Sequence, residues 1–321
     1  MARAVINTAA YLTADARRFL QENDCQVVDL TLEGLPESEF GARVRGVQAV
    51  IAGGEWWTER IFATTQTLEI VARTGAGVDR VDLAAAARHG VWVTNTPGAT
   101  NQAVADFTLG LILCLLRDIP TVAQDLKAGR WNQFRGRELG SLTLGVVGTG
   151  QIGREVIKRS AAFGASILAH DIRVDQEFGQ AYNVQWVSLD ELMARSDIVT
   201  LHVPLGEQTR GIIDGRRLGL MKKTSYLVNT SRSAVVDKQA LIQALEARIL
   251  AGAAIDVHDP APCPPDDPLV RLDNVLATPW TAYKTDEAIA RMCSMAVEDV
   301  VAVLSGRPPR FPVNQPLPRP R

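Results

Sequence analysis

Hydrophobic residues recur along this chain as short apolar runs separated by stretches of helical periodicity. ARAVINTA, CQVVDLT, VQAVIAG, LEIVART and GVWVTNTP each read as a strand, with ADARRFLQEN and DLAAAARH as helices between some of them. Strands alternating with helices predict parallel βα units, and hence a first α/β unit. A second series follows in LTLGVVG, SILAHD, DIVTLHVP, SYLVNT, AGAAIDV and NVLATP. Between the two series, residues 101–129 read as one helix or two joined helices, starting near Asn101 and broken ahead of Pro120. This segment is expected to bridge two domains.

The C-terminal region opens with the helical pattern DEAIARMCSMAVEDVVAVLSG and runs into PPRFPVNQPLPRPR, which predicts an extended, mobile tail. The helix is long enough to cross back to the first unit, which would make that domain discontinuous. A length of 321 residues suits two domains better than one. The hydrophobic fraction of 46% and charged fraction of 22% are those of an ordinary soluble protein. A formal net charge of -2 gives no reason to expect nucleic acid or an anionic membrane as partner, so small molecules are the expected ligands. Cys25, Cys114, Cys263 and Cys293 are scattered without CxxC or metal-ligand spacing; free thiols and no metal site are expected. The N-terminus lacks a signal-peptide pattern, and ADFTLGLILCLL is too short and too interrupted for a membrane span, so a cytoplasmic location is expected.

The strongest chemical signal is SLTLGVVGTGQIGREVIKRSAAFGASILAHD. Gly148, Gly150 and Gly153 fill the glycine places of GxGxxG between a strand and a helix, the setting that a dinucleotide fingerprint requires. Gly148 permits the tight turn, Gly150 lets the backbone approach a pyrophosphate, and Gly153 permits close helix packing. Amides at the helix start, from Gln151 and Ile152, would face the anion. Asp171 closes the next apolar segment, where a carboxylate accepts both ribose hydroxyls and repels a 2'-phosphate. NAD is therefore favoured over NADP, although nearby Arg173 weakens that preference. Arg154 is a candidate pyrophosphate contact.

Three further residues follow strand-like segments: Arg232 after SYLVNT, Asp256 after AGAAI and Trp280 after NVLATP. Ligands of open parallel sheets sit beyond the carboxyl ends of strands, so all three are candidates for one crevice. Arg232 either grips a small acid's carboxylate in a bidentate fork or salt-bridges a loop. Asp256 either holds the nicotinamide amide or orders the strand end.

With those residues in view, the chain resembles the D-isomer-specific 2-hydroxyacid dehydrogenases, the group of phosphoglycerate, glyoxylate/hydroxypyruvate and formate dehydrogenases. The resemblance spans most of residues 70–305 through ARTGAGVDRVDLAAAARHGVWVTNTPG, NQAVAD, LTLGVVGTGQIGR, DIVTLHVPL, YLVNTSR, and GAAIDV followed by LDNVLATP. It implies a Rossmann-type dinucleotide-binding domain over 101–290, inserted into a flavodoxin-like discontinuous catalytic domain of 1–100 and 291–321. It also implies a homodimer built largely through the dinucleotide domain. Arg232 matches the family's catalytic arginine, and the amides of Ala76 and Gly77 match those that receive the substrate carboxylate. Asp256 matches the acidic residue near the nicotinamide, His202 to Pro204 the wall beside the adenosine half, and Asn101 a residue at the domain junction. The implied substrate is a small 2-oxo or 2-hydroxy acid.

The departure from the family lies in its acid/base pair. Members usually carry DVFxxEP and later TPH; this chain reads DVHDPAP and TPW, which puts Ala261 in the glutamate place and Trp280 in the histidine place. An indole does not titrate near neutral pH, and general acid/base catalysis is worth about 10²–10⁴-fold. Three accounts follow. Proton transfer is relocated to His258, Asp259, Tyr283 or Lys284, with His258 first for its suitable ordinary pKa. Alternatively, the chemistry is altered, with Trp280 contacting a larger apolar substrate; Trp56 and Trp57 would either line that pocket or serve packing or a dimer contact. In the third account the chain is a catalytically silent NAD-binding sensor. The expectation is an NAD-dependent oxidoreductase acting on the CH–OH group of a small 2-hydroxy acid, with atypical proton transfer.

Overall fold

The computed structural model describes residues 3–32 and 34–318. The chain divides into two compact units, one of residues 1–100 with 284–321 and one of residues 101–283. The sequence reading puts the second crossing at 290/291, but that point falls inside the helix Asp286–Leu304, whose start is fixed by the Thr285 hydroxyl accepting from the Ala288 amide.

The first unit is built on strands β1 (Arg3–Asn7), β2 (Cys25–Asp29), β3 (Ala49–Ala52), β4 (Ile70–Arg73) and β5 (Trp92–Thr94). All neighbours are parallel in the order β2-β1-β3-β4-β5, the flavodoxin-like arrangement. Successive residues of a strand face opposite sides of the sheet, and both sides here are apolar. Val5, Ala49, Ile51, Ile70 and Ala72 pack with Leu20 of the helix Ala14–Glu22 and with Cys293, Ala296, Val297 and Val300 of the helix Asp286–Leu304. On the other face, Ile6, Val50, Ala52, Val71 and Val93 pack with Phe40, Trp57, Phe62 and Ala85. The C-terminal helix thus belongs to the core of the first unit.

The tail beyond it is extended, as its prolines predict, but it is held in place. It runs antiparallel to β5: the Val313 amide donates to the Val93 carbonyl, the Val93 amide to Asn314 Oδ1, and the Asn95 amide to the Phe311 carbonyl. Asp299, buried in the terminal helix, accepts from the Arg310 and Phe311 amides and anchors the turn before this strand-like stretch.

The second unit contains β6 (Thr143–Val147), β7 (Ser166–His170), β8 (Val184–Trp186), β9 (Ile198–Leu201), β10 (Tyr226–Asn229), β11 (Gly252–Ile255) and β12 (Val275–Ala277). They form one parallel sheet in the order β12-β11-β10-β9-β6-β7-β8, which is the Rossmann arrangement with a seventh strand, and its order reverses between β6 and β9. Helices cover both faces, with Leu144, Val146, Val228 and Ala254 on one side and Val147, Val199, Leu227 and Ala253 on the other. The predicted bridge segment is two helices, Asn101–Arg117 and Ile119–Lys127, and the break is at Asp118, whose φ of 48° lies in the left-handed region. Pro120, in the first turn of the second helix, needs no amide partner there.

Register places the ends of these strands together. Val147 pairs with His170 and Leu201, Leu201 with Asn229, Asn229 with Ile255, and Ile255 with Ala277. Whatever follows those six residues therefore emerges along one edge of the sheet. No described helix is long and apolar enough to cross a membrane.

Candidate active site

The residues that emerge at that edge are those singled out in the sequence. Gly148 follows β6, Asp171 follows β7 and His202 follows β9, while Arg232, Asp256 and Trp280 follow β10, β11 and β12.

At the switch point the glycines have separate jobs. Gly148 has a φ of 90°, and a Cβ on it would come within 2.8 Å of the His202 backbone, so only glycine lets the two strand ends meet. A Cβ on Gly153 would stand 2.0 Å from the Gly148 carbonyl oxygen, so this glycine lets the helix close onto the turn. A Cβ on Gly150 would meet nothing within 4 Å. That open approach is what a phosphate needs, and no side chain caps the helix Gln151–Ala162, whose first amides point outward. Gln151 is exposed and accepts from Asn101 through Oε1; Ile152 is partly buried against the core.

Asp171 is wired to the same loop. Its Oδ2 accepts from the Thr149 amide at 2.6 Å and the Thr149 hydroxyl at 3.1 Å, and its Oδ1 from the Arg173 amide at 2.9 Å. Burial resists its ionisation, yet these amide donors prevail and hold the carboxyl below its usual range. A carboxylate has about four acceptor sites, so capacity is left for ribose hydroxyls. Open space at Gly150, an uncapped helix start and an ionised Asp171 together fit a dinucleotide without a 2'-phosphate. Arg154, the candidate pyrophosphate contact, is engaged within the protein. It is drawn to Asp175 at 2.8 Å and to the Thr149 carbonyl, with its guanidinium 4.8 Å from the Phe178 ring centre, because a close carboxylate and an aromatic face are local to it. His202, its Nε2 2.9 Å from the Thr200 hydroxyl, has its pKa pushed down by burial to about 3 and is neutral. Pro204 is exposed, and its carbonyl accepts from the Thr209 hydroxyl.

Along the same edge, Asn229 shapes the turn that carries Arg232. Its Oδ1 accepts from the Ser231 amide and hydroxyl, and its Nδ2 donates to the Arg232 carbonyl. The guanidinium carbon of Arg232 then stands 5.8 Å from the centre of the Trp280 ring. Asp256 is 1% exposed and fastens the loop that presents Trp280. Its carboxylate accepts from the Thr278 hydroxyl and from the Thr281 and Ala282 amides, and its carbonyl accepts from the Trp280 amide. Trp280 sits at φ 51°, a left-handed conformation that a bulky residue rarely adopts and that this clamp sustains. Of the two roles considered for Asp256, ordering the strand end is the one its bonds display. His258 places Nε2 at 2.8 Å from the Thr278 carbonyl, so Nε2 is the protonated nitrogen and Nδ1 alone is left for exchange. No group of three metal-ligating side chains occurs among the described residues.

Residues 109–282 match the family model for the NAD-binding domain of D-isomer specific 2-hydroxyacid dehydrogenases. The chain belongs to this family. A glyoxylate reductase of Thermofilum pendens is 40% identical over 262 residues, covering 79% of this chain and 77% of the relative. A D-3-phosphoglycerate dehydrogenase of Methanocaldococcus jannaschii is 37% identical over 287 residues, 88% of this chain and 55% of that protein. The chain thus spans about half the length of that relative. Among solved structures, an acyclic imino acid reductase in complex with NADPH and D-Arg superposes with a TM-score of 0.86 at 25% identity, covering 97% of this chain and 99% of that one.

The family's remaining expected contacts lie in the first unit, after β4. The carbonyls of Gly75, Ala76 and Gly77 accept from the Thr96 amide, the Asn95 side chain and the Arg73 guanidinium, which fixes the peptide planes of the loop. The tryptophan pair of that unit divides. Trp57 is buried against Phe40 and Phe62, a packing role, whereas Trp56 is exposed with Arg80 over its ring. Sequence reasoning missed the Asn229 turn brace and the second function of Asp171 on Thr149; an asparagine at a strand end before Ser-Arg was the available signal for the first.

Proposed function

We propose that the chain is an NAD-dependent oxidoreductase that reduces a small 2-oxo acid, or oxidises the matching 2-hydroxy acid, with an atypical route for the proton. The observation that carries this reading is Arg232 set beside Trp280 on the sheet edge that also carries the glycine turn and Asp171. When bound, the nicotinamide supplies or accepts the hydride. Gly148, Gly150, Gly153 and the first amides of the following helix, from Gln151 and Ile152, would hold its pyrophosphate; Asp171 would hold the ribose, and His202 and Pro204 would flank the adenosine half. Arg232 is assigned to the substrate carboxylate, which it orients while drawing electrons from the adjoining carbonyl. In the first unit, the Ala76 and Gly77 amides are assigned to the same carboxylate class. Trp280 is assigned to substrate packing, and Asp256 acts through the loop it fastens.

His258 is kept as the substitute proton carrier only through Nδ1. The arrangement of the indole and the engaged Nε2 also favours a second reading, an NAD-binding sensor without turnover. A homodimer is proposed as well: the helix Ile119–Lys127 buries none of its residues, and Ile119, Leu126, Trp131 and Phe134 present a run of exposed apolar surface. Four free thiols suit a reducing, cytoplasmic location.

The deciding experiment mixes purified protein with NADH and a panel of glyoxylate, hydroxypyruvate, pyruvate and phenylpyruvate, following NADH consumption across pH. Turnover of a member supports the reductase. NADH binding without turnover of any member overturns it in favour of the sensor.

A further inference from the structure

We propose that the first unit holds a second small-molecule site, which takes a free α-amino acid with a large apolar side chain. It lies at the end of that unit's sheet where the strands begin, opposite the Ala76–Gly77 loop that follows β4, and it does not rest on the function proposed above.

The register sets the starts of three strands side by side. Ala49 at the head of β3 pairs with Ile70 at the head of β4, and Ile70 pairs with Trp92 at the head of β5. Gln48 and Glu69, each one residue ahead of its strand, therefore border one floor with Trp92. Val303 and Leu304, in the last turn of the helix Asp286–Leu304, join Ala49, Ile70 and Trp92 in one apolar cluster. Where the strand starts meet the end of this helix there is a cleft of about 810 Å³, a size suited to a small molecule.

The lining of the cleft is amphipathic. Trp92, Val303 and Leu317 supply apolar surface, and Glu69 and Arg307 supply one charge of each sign. Gln48 is already engaged: its Oε1 accepts from the Ala4 amide at 2.7 Å and its Nε2 donates to the Gly46 carbonyl. The two charges are not. Among the described residues, neither the Glu69 carboxylate nor the Arg307 guanidinium makes an ion pair or hydrogen bond, with the other or with any third group. Elsewhere on this unit charges find partners, as Arg43 does in Glu39 and Arg60 in Glu37. The backbone that carries Arg307 is fixed, its amide donating to the Ala302 carbonyl at 2.9 Å.

Charges of both signs beside an indole in one cleft select a zwitterion with an apolar arm. Its carboxylate suits the Arg307 fork, its ammonium suits Glu69, and its arm suits Trp92, Val303 and Leu317. A simple anion would face the like charge of Glu69, and a simple cation that of Arg307. An uncharged apolar compound would strip water from both charges and return no partner.

The test is calorimetric titration of the full chain with L-phenylalanine, with 3-phenylpropionate, which lacks the ammonium, and with 2-phenylethylamine, which lacks the carboxylate. Phenylalanine should bind, and each analogue should bind roughly 10-fold or more weakly, the worth of one lost charge-assisted contact. Glu69→Gln should bring phenylalanine down to the affinity of 3-phenylpropionate, and Arg307→Gln to that of 2-phenylethylamine, with circular dichroism unchanged in both. Arg232 is a competing receptor for a carboxylate, so the titration is repeated in Arg232→Ala. Unchanged phenylalanine affinity in that variant supports the second site. Affinity lost in Arg232→Ala but kept in Glu69→Gln and Arg307→Gln overturns it, as do equal affinities for the three compounds or no binding of phenylalanine. The comparison of analogues on the parent protein needs no variant to fold.

Discussion

The guanidinium carbon of Arg232 lies 5.8 Å from the ring centre of Trp280, which places an obligate cation against an indole. Under the proposed function, that pairing ties orientation of the substrate's acid group to Trp280. Arg232→Ala should lower kcat/KM for 2-oxo acids by about 10²–10³-fold while NADH affinity stays within a factor of about two, because a preorganised donor to a developing charge is lost but the nucleotide loop is untouched. Arg232→Lys should recover only part of this, since a point charge does not reproduce the planar fork. Steady-state kinetics and nucleotide fluorescence together separate the two effects, and unchanged kinetics in Arg232→Ala would remove the clamp.

Asp256 supports Trp280 from beneath. In Asp256→Asn an amide NH₂ replaces one acceptor oxygen, which sets a donor against the Thr281 or Ala282 amide. Leaving a buried donor unsatisfied costs about 1–3 kcal/mol, so the melting temperature should fall by several degrees. A near-isosteric change that left the melting temperature and the Trp280 fluorescence unaltered would contradict the clamp.

The fold was legible in the sequence wherever a strand was a continuous apolar run. β6, β9, β10 and β11 are buried on both faces and read directly as VVG, IVT, LVN and AAI. β8, only Val184–Trp186 at the sheet edge, was not, because Gln185 interrupts it and three residues carry no periodicity. The site was legible where chemistry demands a fixed spacing, as in Gly148, Gly150 and Gly153 with Asp171. It was not legible where a side chain chooses among neighbours that are distant in sequence. Arg154 beside a glycine loop suggests a phosphate, yet Asp175 claims it. The proline-rich tail reads as loose, but no local pattern announces that buried Asp299 and β5 hold it.

His202 gives the protein an acid limb to its stability. Its pKa is about 3 in the folded chain against an ordinary 6.5, so between those values the unfolded state binds the proton and the folded state does not. Stability contributed by this neutral histidine is present above pH ~6.5 and is lost progressively as pH falls toward ~3. Glu155, lowered to about 2 chiefly by its hydrogen bond from Lys158, adds its loss only below the ordinary glutamate range. The melting temperature should therefore already decline between pH ~6.5 and ~4.5, and His202→Gln should flatten that interval while leaving the steeper fall below it. A wild-type curve that is flat over the interval would refute the assignment.

Asp171 makes a prediction about nucleotide choice. Asp171→Ala removes the anchor of the Thr149 amide, together with the acceptor proposed for the ribose hydroxyls and the charge that would repel a 2'-phosphate. KM for NADH should rise by about 10-fold or more, on the order of 1.4 kcal/mol, and the preference for NADH over NADPH should narrow. Kinetics with both nucleotides check this; a variant that kept the wild-type preference would place nucleotide selection elsewhere.

The exposed apolar run after the break at Asp118 bears on assembly. Trp131 is 79% exposed and Leu126 59%, on a segment whose helix buries nothing in its own unit. Large exposed apolar residues in one stretch mark an interaction surface, and a second copy is the proposed occupant. Leu126→Glu with Trp131→Glu removes little that the isolated chain packs, so the far-ultraviolet circular dichroism should be unchanged. Two charges placed symmetrically in a two-fold interface would each face a desolvation cost, and sedimentation velocity should then show monomers at concentrations where the parent protein sediments as a dimer. A parent protein that sediments as a monomer, or a double variant that remains dimeric, would assign this surface to another role.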